Sequence, residues 1–407
     1  MKNKKLLPVW LLVIIDIVLI GVTLVVFALF HHVLPQESKP EGKVNTRPTG
    51  AVINQSVTAS SEERGASRLL VNTVSALSAT QDECAEKTAP APAVNNDIYL
   101  GAPSSKGASA YRFKATKLSS GGTEDSEATD EAEEEKDVLG NFSHKFADKF
   151  IDSDKPRTTG KANSATRTYV SRNLNVTMTI SRIDCTGNTG VWKSTAYVTD
   201  FYIRDISQLQ SILARDMYGK GYAESVYSIA KRTGAIAAIN GDYYGARENG
   251  VVIRNGVIYR RHSYPYDICV LYWDGRMETF AEGEWTKEML EDGVYQAWCF
   301  GPSLLDDEGN AITEFDSWKE LLYLHPRTAI GYFEPGHYCF VNIDGRSNSS
   351  VGITMKELAE FMQSLGCKRA YNLDGGNSST LNFMGDTLTD GDSRAVPDAL
   401  IIVDYIQ

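Results

Sequence analysis

The chain has 407 residues, with 41 lysines and arginines against 52 aspartates and glutamates, and a formal net charge of -11. This length exceeds one typical domain and is enough to bury a sizeable core. The acidic balance repels the phosphate backbone of nucleic acids, so we expect no nucleic-acid partner.

The N-terminal residues 1–32 have the pattern of a cytoplasmic tip followed by a membrane anchor. Lys2, Lys4 and Lys5 precede an apolar run over residues 6–30, and roughly 20 apolar residues suffice for a helix to cross a bilayer. A cleaved signal peptide is the alternative, but its apolar region is usually about 7–15 residues long and ends at small residues. We therefore predict an uncleaved transmembrane helix. The lysines place its N-terminus in the cytoplasm and the C-terminal domain outside, as in a single-pass membrane protein.

Residues 33–165 are rich in Ser, Thr, Ala, Pro, Lys and Glu. Such a segment buries too little apolar surface to offset its ordering entropy, so we predict a largely disordered stalk. Phe142, Phe146 and Phe150 are spaced as on one face of a weak amphipathic helix, to which the sequence assigns no role.

From residue 166 to residue 407 the pattern is that of a folded domain. Two β-rich segments, 167–184 and 190–205, are followed by helical patterns at 206–218 and 223–233. Thr354 and Glu357 form a capping box for a further helix that ends at Gly366. Further strands are predicted at 235–239, 251–259, 268–273, 277–281, 295–300, 327–333, 337–344, 369–373, 380–384 and 399–405. Many strands with few helices indicate an α+β fold with a large mixed or antiparallel sheet.

The six cysteines show no CxxC pattern and no metal-ligand spacing, so a zinc site is not expected. Most of them lie in apolar strand patterns, which predicts buried free thiols and leaves room for one disulfide.

Three polar or glycine-rich stretches follow buried strand patterns, at positions where strand ends commonly build sites. The first, 240–245, is Asn-Gly-Asp-Tyr-Tyr-Gly, which is also an ordinary tight-turn sequence. The second is 325–331, in which Arg327 opens a strand, followed by 344–346 (Asp-Gly-Arg). A guanidinium suits a phosphate, and a structural ion pair explains Arg327 equally well.

The third stretch, 372–380, reads Asn-Leu-Asp-Gly-Gly-Asn-Ser-Ser-Thr. Its two glycines let the backbone approach a ligand, and successive amides can bind an anion. The alternative is a glycine-rich connector whose Asp and Ser side chains bind their own backbone.

Together and in this order, these stretches resemble the phosphodiester glycosidase family. Its members carry Asn-Gly-Gly-Phe-Phe, Pro-Arg-Thr-Ala-Ile-Gly, Asp-Gly-Arg, then a helix and Asn-Leu-Asp-Gly-Gly-Gly-Ser-Ser-Thr, with a late arginine before the last strand. The corresponding segments here are 240–244, 326–331, 344–346, 372–380 and Arg394. The sequence departs from the family pattern at four positions, where Asp242 and Asn377 replace glycines and Tyr243 and Tyr244 replace phenylalanines.

The resemblance implies a hydrolase that cleaves the glycosidic bond to a sugar phosphodiester. The predicted anchor and stalk suit an extracytoplasmic enzyme that acts on a surface or envelope glycopolymer, such as an exopolysaccharide. A carboxylate should face the anomeric carbon; Asp374 is the first choice, and Asp344 and Asp242 are the alternatives. Arg327 and the backbone amides near residues 375–378 suit the charge of the leaving phosphate. The expected substrate- and phosphate-binding residues are Asn240, Tyr243, Tyr244, Arg327, Thr328, Arg346, Asn372, Gly375, Gly376, Asn377, Ser378, Ser379 and Arg394.

Two other functions remain open at this point. The same residues could bind a carbohydrate without cleaving it, as a cell-surface binding module on a membrane anchor. A metal-dependent phosphodiesterase would need clustered His and Asp ligands, but His262, His325 and His337 lack ligand spacing. We therefore expect no cofactor and no metal ligands, although a divalent cation stays open without support. The expected partners are a carbohydrate or glycopolymer substrate and the membrane.

Overall fold

The computed structural model describes residues 9–28, 35–41, 44–47, 104–105, 139–187, 190–262, 265–291, 293–316, 323–389 and 394–404. Within these ranges there are three α-helices: α1 (Val9–Ala28), α2 (Val226–Thr233) and α3 (Met355–Ser364). The strands of the first half are β1 (Gln36–Glu37), β2 (Ser104–Ser105), β3 (Arg157–Thr159), β4 (Thr166–Val170), β5 (Leu174–Gly187), β6 (Gly190–Ile203), β7 (Leu209–Leu213), β8 (Gly219–Lys220), β9 (Ala237–Asn240), β10 (Val251–Arg254) and β11 (Val257–Arg261). Those that follow are β12 (Ile268–Tyr272), β13 (Met277–Phe280), β14 (Val294–Trp298), β15 (Phe315–Asp316), β16 (Arg327–Glu334), β17 (His337–Ile343), β18 (Arg369–Asn372), β19 (Leu381–Phe383), β20 (Asp386–Thr387) and β21 (Asp398–Ile402).

Three antiparallel sheets make up the domain. A seven-stranded sheet has the order β18-β16-β17-β6-β5-β4-β3, and two five-stranded sheets have the orders β20-β19-β9-β21-β7 and β11-β10-β14-β12-β13. The predominance of strands is consistent with the predicted α+β class, and the described pairings within these sheets are all antiparallel.

All three sheets pack on one hydrophobic core. Phe201 from the seven-stranded sheet, Ile239 and Leu381 from the second sheet, and Leu271 and Trp298 from the third lie in this core and are fully buried. Strands present alternate side chains to each face, so one face of each sheet packs on this core. The polar motifs lie at the rim where strand ends of the first two sheets meet.

The two short helices end as the sequence predicts, but α2 begins at Val226, three residues after the predicted start at 223. Ser225 caps α2, and Gly234 ends it in the left-handed conformation with a φ of 68°. Thr354 and Glu357 form the predicted capping box at the start of α3. These helices cover the outer faces of the second and the seven-stranded sheet, respectively.

The helix predicted at 206–218 is wrong. Residues 206–208 form a single 3₁₀ turn, and β7 then pairs with β21 through residues 398–402. All five residues of β7 are buried, so long-range sheet pairing overrides the local helical pattern. The single strand predicted at 251–259 is likewise two strands, because Asn255 and Gly256 turn the chain between β10 and β11.

The predicted disordered stalk at 33–165 is wrong for three described parts of that segment. Residues 35–47, apart from 42–43, form a strap on the domain: the Asn45 backbone N–H donates to the Gly256 carbonyl at 2.6 Å, and Glu41 pairs with Arg261 at 3.0 Å. Strand β2, at 104–105, pairs with β15. The remaining stalk residues up to 138 lie outside the described ranges.

Residues 139–165 are the third part, and they belong to the domain. Phe142 and Phe146 lie in the central core and are 6% exposed, and β3 adds an edge strand to the seven-stranded sheet. The amphipathic helix expected here is a 3₁₀ turn at Ala147–Lys149. The side chains needed to order this segment come from distant strands, which composition alone does not reveal.

Among the described residues, no helix was found that is both long and apolar enough to cross a membrane. The structure therefore gives no support to the predicted transmembrane anchor.

Five cysteines, Cys185, Cys269, Cys299, Cys339 and Cys367, are buried and free. This confirms the prediction of buried thiols for these positions. Cys84 lies outside the described residues.

Candidate active site

The three polar motifs converge through the side chain of Asn240, at the end of β9. Its Nδ2 donates to the Asp374 carbonyl at 2.6 Å, and its Oδ1 accepts from the Thr328 hydroxyl at 2.8 Å and from the Thr380 backbone N–H at 3.2 Å. Asn240 is fully buried. One amide thus joins the first, second and third motifs, as strand ends meeting at one rim would require.

Asp374 follows β18 and carries the carboxylate at the centre of the site. Its Oδ2 lies 2.8 Å from Nη2 of Arg394, and only 6% of the residue is exposed. Burial raises the pKa of Asp374, while Arg394, Ser378 and Arg247 oppose that rise. The Arg394 guanidinium also lies over the ring of Tyr243, 4.7 Å from its centroid.

The glycine-rich turn after Asp374 lies against a second guanidinium, that of Arg346. Nη1 of this exposed arginine donates to Oδ1 of Asn377 at 2.8 Å, and Nη2 lies 3.4 Å from Nδ1 of His325. Gly376 has a φ of 61°, and a Cβ atom there would lie 3.1 Å from Nη2 of Arg346. Glycine at this position permits both the backbone conformation and the close approach.

Arg394 reaches the same turn from the other end of the chain. Its backbone N–H donates to the Asn377 carbonyl at 3.0 Å. Asn377 therefore contacts the guanidinium of Arg346 and the backbone of Arg394, whose own guanidinium pairs with Asp374.

Arg327 is buried and held by backbone carbonyls. It is 4% exposed, and it donates from Nε to the Ile353 carbonyl at 3.1 Å and from Nη2 to the Tyr323 carbonyl at 2.8 Å. Burial, with a contribution from Arg346, lowers the pKa of Arg327 to about 9. An anion placed near both guanidiniums would oppose this shift.

The alternative carboxylate Asp344 lies at the end of β17 and is also buried. Its Oδ2 accepts a 2.8 Å hydrogen bond from the Tyr197 hydroxyl, and its carbonyl accepts one from Ser350. Asp344 thus shares the rim with the site, whereas Asp374 is the carboxylate in contact with Arg394.

The remaining predicted contact residues have supporting positions. The Thr328 and Ser379 hydroxyls lie 3.0 Å apart, and Ser379 donates to the Arg327 carbonyl. Asn372 donates from Nδ2 to the Gly301 carbonyl at 2.7 Å. The backbone N–H of Gly376 donates to the Pro326 carbonyl and that of Ser378 to the Gly375 carbonyl, so these two amides brace the turn.

In the described ranges, no cluster of three or more His, Cys, Asp or Glu side chains is arranged to hold a metal ion.

Residues 233–403 match the family model described as phosphodiester glycosidase. Over this segment the chain is similar to the phosphodiester glycosidase family. The matched residues include all the motifs on which the resemblance rests, and the match confirms the predicted resemblance to this family.

One curated protein and two solved structures illustrate what the chain is similar to. The chain is 34% identical over 197 residues to the SPbeta prophage-derived uncharacterized protein YomE of Bacillus subtilis, covering 46% of this chain and 30% of that protein. The chain thus matches less than a third of the length of this relative.

Two solved structures are similar to this chain. The catalytic domain of zebrafish N-acetylglucosamine-1-phosphodiester alpha-N-acetylglucosaminidase, auto-inhibited by its pro-peptide, has a TM-score of 0.47 and 20% identity, covering 62% of this chain and 88% of that one. A hypothetical protein from Synechocystis has a TM-score of 0.38 and 13% identity, covering 62% of this chain and 64% of that one.

The departure from the family pattern at Asp242 has a packing explanation. Asp242 is fully buried; it pairs with Arg254 at 2.8 Å and accepts from the Cys299 backbone N–H at 2.9 Å. Arg254 also pairs with Asp398 at 2.7 Å. This geometry places Asp242 in a buried ion-pair cluster and does not support its suggested role as a carboxylate facing substrate.

The two tyrosines of the first motif take different positions. Tyr244 is 1% exposed and stacks on Tyr218 with ring centroids 5.3 Å apart, so its predicted substrate contact is not supported. Tyr243 has a φ of 62° and lies under Arg394, beside the catalytic candidate Asp374. Of these two tyrosines, only Tyr243 is therefore part of the candidate site.

The sequence predicts no role in the site for Arg247, His325 or Tyr197. Arg247 opposes the rise in the pKa of Asp374, His325 contacts Arg346, and Tyr197 donates to Asp344. His325 opens the second stretch, 325–331, and Arg247 lies two residues after the first, so their positions could have indicated both. Tyr197 lies on β6, far from any motif in the sequence, and gave no such signal.

Proposed function

We propose that the domain hydrolyses the glycosidic bond between a sugar and a phosphodiester group. The observation that carries the proposal is the meeting of a buried carboxylate, Asp374, with two exposed guanidiniums, Arg346 and Arg394, at one glycine-rich turn. The family match supports the same reaction class.

In the proposed reaction, guanidiniums stabilise the negative charge of the leaving phosphate, and a carboxylate stabilises the positive charge that develops on the sugar. A phosphate leaving from the anomeric carbon carries negative charge, and preorganised guanidiniums stabilise such charge. Arg346 and Arg394 are placed for this role, and Arg327 adds a third positive charge close to that of Arg346. Arg327 is also held by two backbone carbonyls, so it orients the loops that carry the site.

Asp374 is the carboxylate proposed to act on the sugar. An oxocarbenium-like transition state is stabilised by a nearby carboxylate, which can also activate water. Arg394 favours the ionised form of Asp374, whereas burial opposes it. Once Arg394 interacts with a phosphate, the carboxylate becomes more basic and better able to accept a proton.

The test is hydrolysis of a sugar 1-phosphodiester in ¹⁸O-labelled water, followed by ³¹P NMR and mass spectrometry. Cleavage at the anomeric carbon places the label on the sugar and leaves an unlabelled phosphate monoester. A label on phosphate would instead identify a phosphodiesterase and overturn the proposal. Saturable binding of the diester with no turnover would favour the non-catalytic carbohydrate-binding module.

We also propose that the domain acts outside the cytoplasm on a surface or envelope glycopolymer. The support is the sequence alone: three N-terminal lysines before the apolar run at 6–30. Labelling of intact cells with a membrane-impermeant amine reagent tests this location. Labelling of the chain only after lysis would contradict it.

A further inference from the structure

A cavity lies between α2 and the edge of the second sheet, and we call it the α2 cavity. Its volume is about 380 Å³, within the range of about 300–1,000 Å³ that is typical of small-molecule sites. Its lining includes Thr158, Tyr169, Tyr227, Ala230, Lys231 and Asn382. It contains none of the residues assigned above to the candidate active site.

The lining of the α2 cavity is partly buried and partly exposed. Ala230 and Tyr169 are buried, whereas Thr158, Tyr227 and Lys231 are exposed around them. The Lys231 ammonium lies over the ring of Tyr227, 5.9 Å from its centroid. This leaves aromatic and apolar surface on one side of an opening to solvent.

Asn382 is the unusual member of the lining. It lies in the middle of β19, paired in register with Ala238 of β9, and is fully buried. Its neighbours Leu381 and Phe383 point into the central core, so Asn382 points to the opposite face, toward α2. Neither Nδ2 nor Oδ1 of Asn382 has a hydrogen-bond partner among the described residues.

An unpartnered amide at such a position is costly, because buried polar groups almost always make hydrogen bonds. An apolar side chain of similar size would pack on this face without that cost. Two residues near Tyr169 also carry unpartnered buried atoms. One is Asp404, whose Oδ2 accepts from the Tyr169 hydroxyl at 2.8 Å while its Oδ1 has no partner among the described residues. The other is Arg167, two residues before Tyr169 on β4, whose Nε has none. Neither of these two residues lines the α2 cavity, so the unpartnered amide that a ligand could satisfy there is that of Asn382.

We propose that the α2 cavity binds a ligand that carries a secondary amide, as in an acylamino sugar or an acylated peptide. A primary amide side chain offers an acceptor oxygen and N–H donors in one plane. A secondary amide presents the complementary N–H and C=O, so it can satisfy both ends of Asn382. The small apolar side chains nearby accommodate an acyl methyl group, and the tyrosine rings provide faces for a sugar ring.

Calorimetric titration of the full chain with three probes tests the proposal. We expect saturable binding of an N-acetylhexosamine or of N-acetylalanine methylamide, and roughly tenfold weaker binding of the corresponding free hexosamine, about the effect of one hydrogen bond. The stronger of the two acetylated probes identifies the source of the amide. Equal binding of the acetylated sugar and the free amine, or no binding of either acetylated probe, overturns the proposal.

Two variants place the binding in this cavity. Asn382→Leu should abolish binding and leave the melting temperature equal or higher, since it removes an unsatisfied polar group. Thr158→Trp should block the opening from an exposed edge-strand position without altering the core. Unchanged binding in both variants overturns the proposal. Because the readout is binding of probes that lack phosphate, failure here leaves the proposed hydrolysis untouched.

Discussion

Asp374 and Arg394 form a 2.8 Å ion pair across 20 residues of sequence, and this pair marks the centre of the candidate site. Asp374 is buried, whereas the Arg394 side chain is 40% exposed. The arginine can therefore contact both the carboxylate and a ligand arriving from solvent. This arrangement couples the charge of a bound phosphate to the basicity of the carboxylate.

Replacing Asp374 by asparagine should remove most of the hydrolytic activity and leave the fold intact, because shape and polarity survive while the charge is lost. Turnover of a sugar 1-phosphodiester, measured beside a thermal melt, checks this. Asp344→Asn is the matched control at a second buried aspartate of the same rim and should retain more activity. If Asp374→Asn unfolds the domain or keeps near-native turnover, the carboxylate role passes to Asp344.

Replacing Arg327 by alanine should lower the rate roughly 100- to 1000-fold, a loss comparable to that of one preorganised donor, because it removes a positive charge close to Arg346 and the two hydrogen bonds that hold the Ile353 and Tyr323 carbonyls. Arg327→Lys should recover only part of the activity, because an ammonium group lacks the planar fork. Initial rates and ³¹P chemical-shift titrations with inorganic phosphate separate catalysis from anion binding. Wild-type rates in Arg327→Ala would show that the exposed Arg346 and Arg394 suffice.

The buried Asp398 should make stability depend on pH. Burial raises its pKa from 3.8 to about 7; Asp242 adds to this rise, and Arg254 opposes it. As the pH rises from 3.8 to about 7, the Asp398 carboxyl loses its proton in the unfolded chain but keeps it in the folded one. The contribution of Asp398 to the free energy of unfolding therefore falls over this interval and levels off above about pH 7. Asp398→Asn cannot titrate, so its free energy of unfolding relative to the wild type should rise from pH 4.5 to 7.

Denaturant titrations of the wild type and Asp398→Asn at several pH values within this interval measure that difference. A difference that stays flat across the interval would contradict the raised pKa. A constant offset between the two proteins is expected in addition, since the variant weakens the pairing of Arg254.

Cys339 and Cys367 are the pair that should form a disulfide under a thiol oxidant such as diamide. Their Sγ atoms lie 3.8 Å apart, and both residues are buried. Peptide mapping of the oxidised, alkylated protein should recover one cross-linked peptide pair containing them. The cross-link should be absent in Cys367→Ser, and a different pairing in the wild type would contradict the arrangement of β17 and the end of α3.

Phe146→Ala should lower the free energy of unfolding by about 3–5 kcal/mol, the usual cost of truncating a buried phenylalanine. This follows from the position of Phe146 in the central core, ahead of the first predicted strand of the domain. Lys155→Ala, at an exposed position of the same segment, should change stability by about 0.5 kcal/mol or less. Equal effects of the two substitutions would show that residues 139–165 are not part of the folded unit.

The sequence by itself determined the elements whose signals are local. The capping box at Thr354 and the glycine stop at Gly234 place α3 and α2, and the ordered motifs identify the family at 233–403. These features depend on neighbouring residues or on short fixed patterns, so they are readable without knowledge of distant contacts.

Tertiary structure decided what depends on partners far away in the chain. Strand β7 forms because β21 supplies its hydrogen bonds, and Phe146 is ordered because distant strands bury it. The same applies to the site: Asp242 and Asp374 look alike in sequence as acids in polar turns. Only the fold pairs the first with buried Arg254 and the second with exposed Arg394, because packing determines which charges are desolvated together.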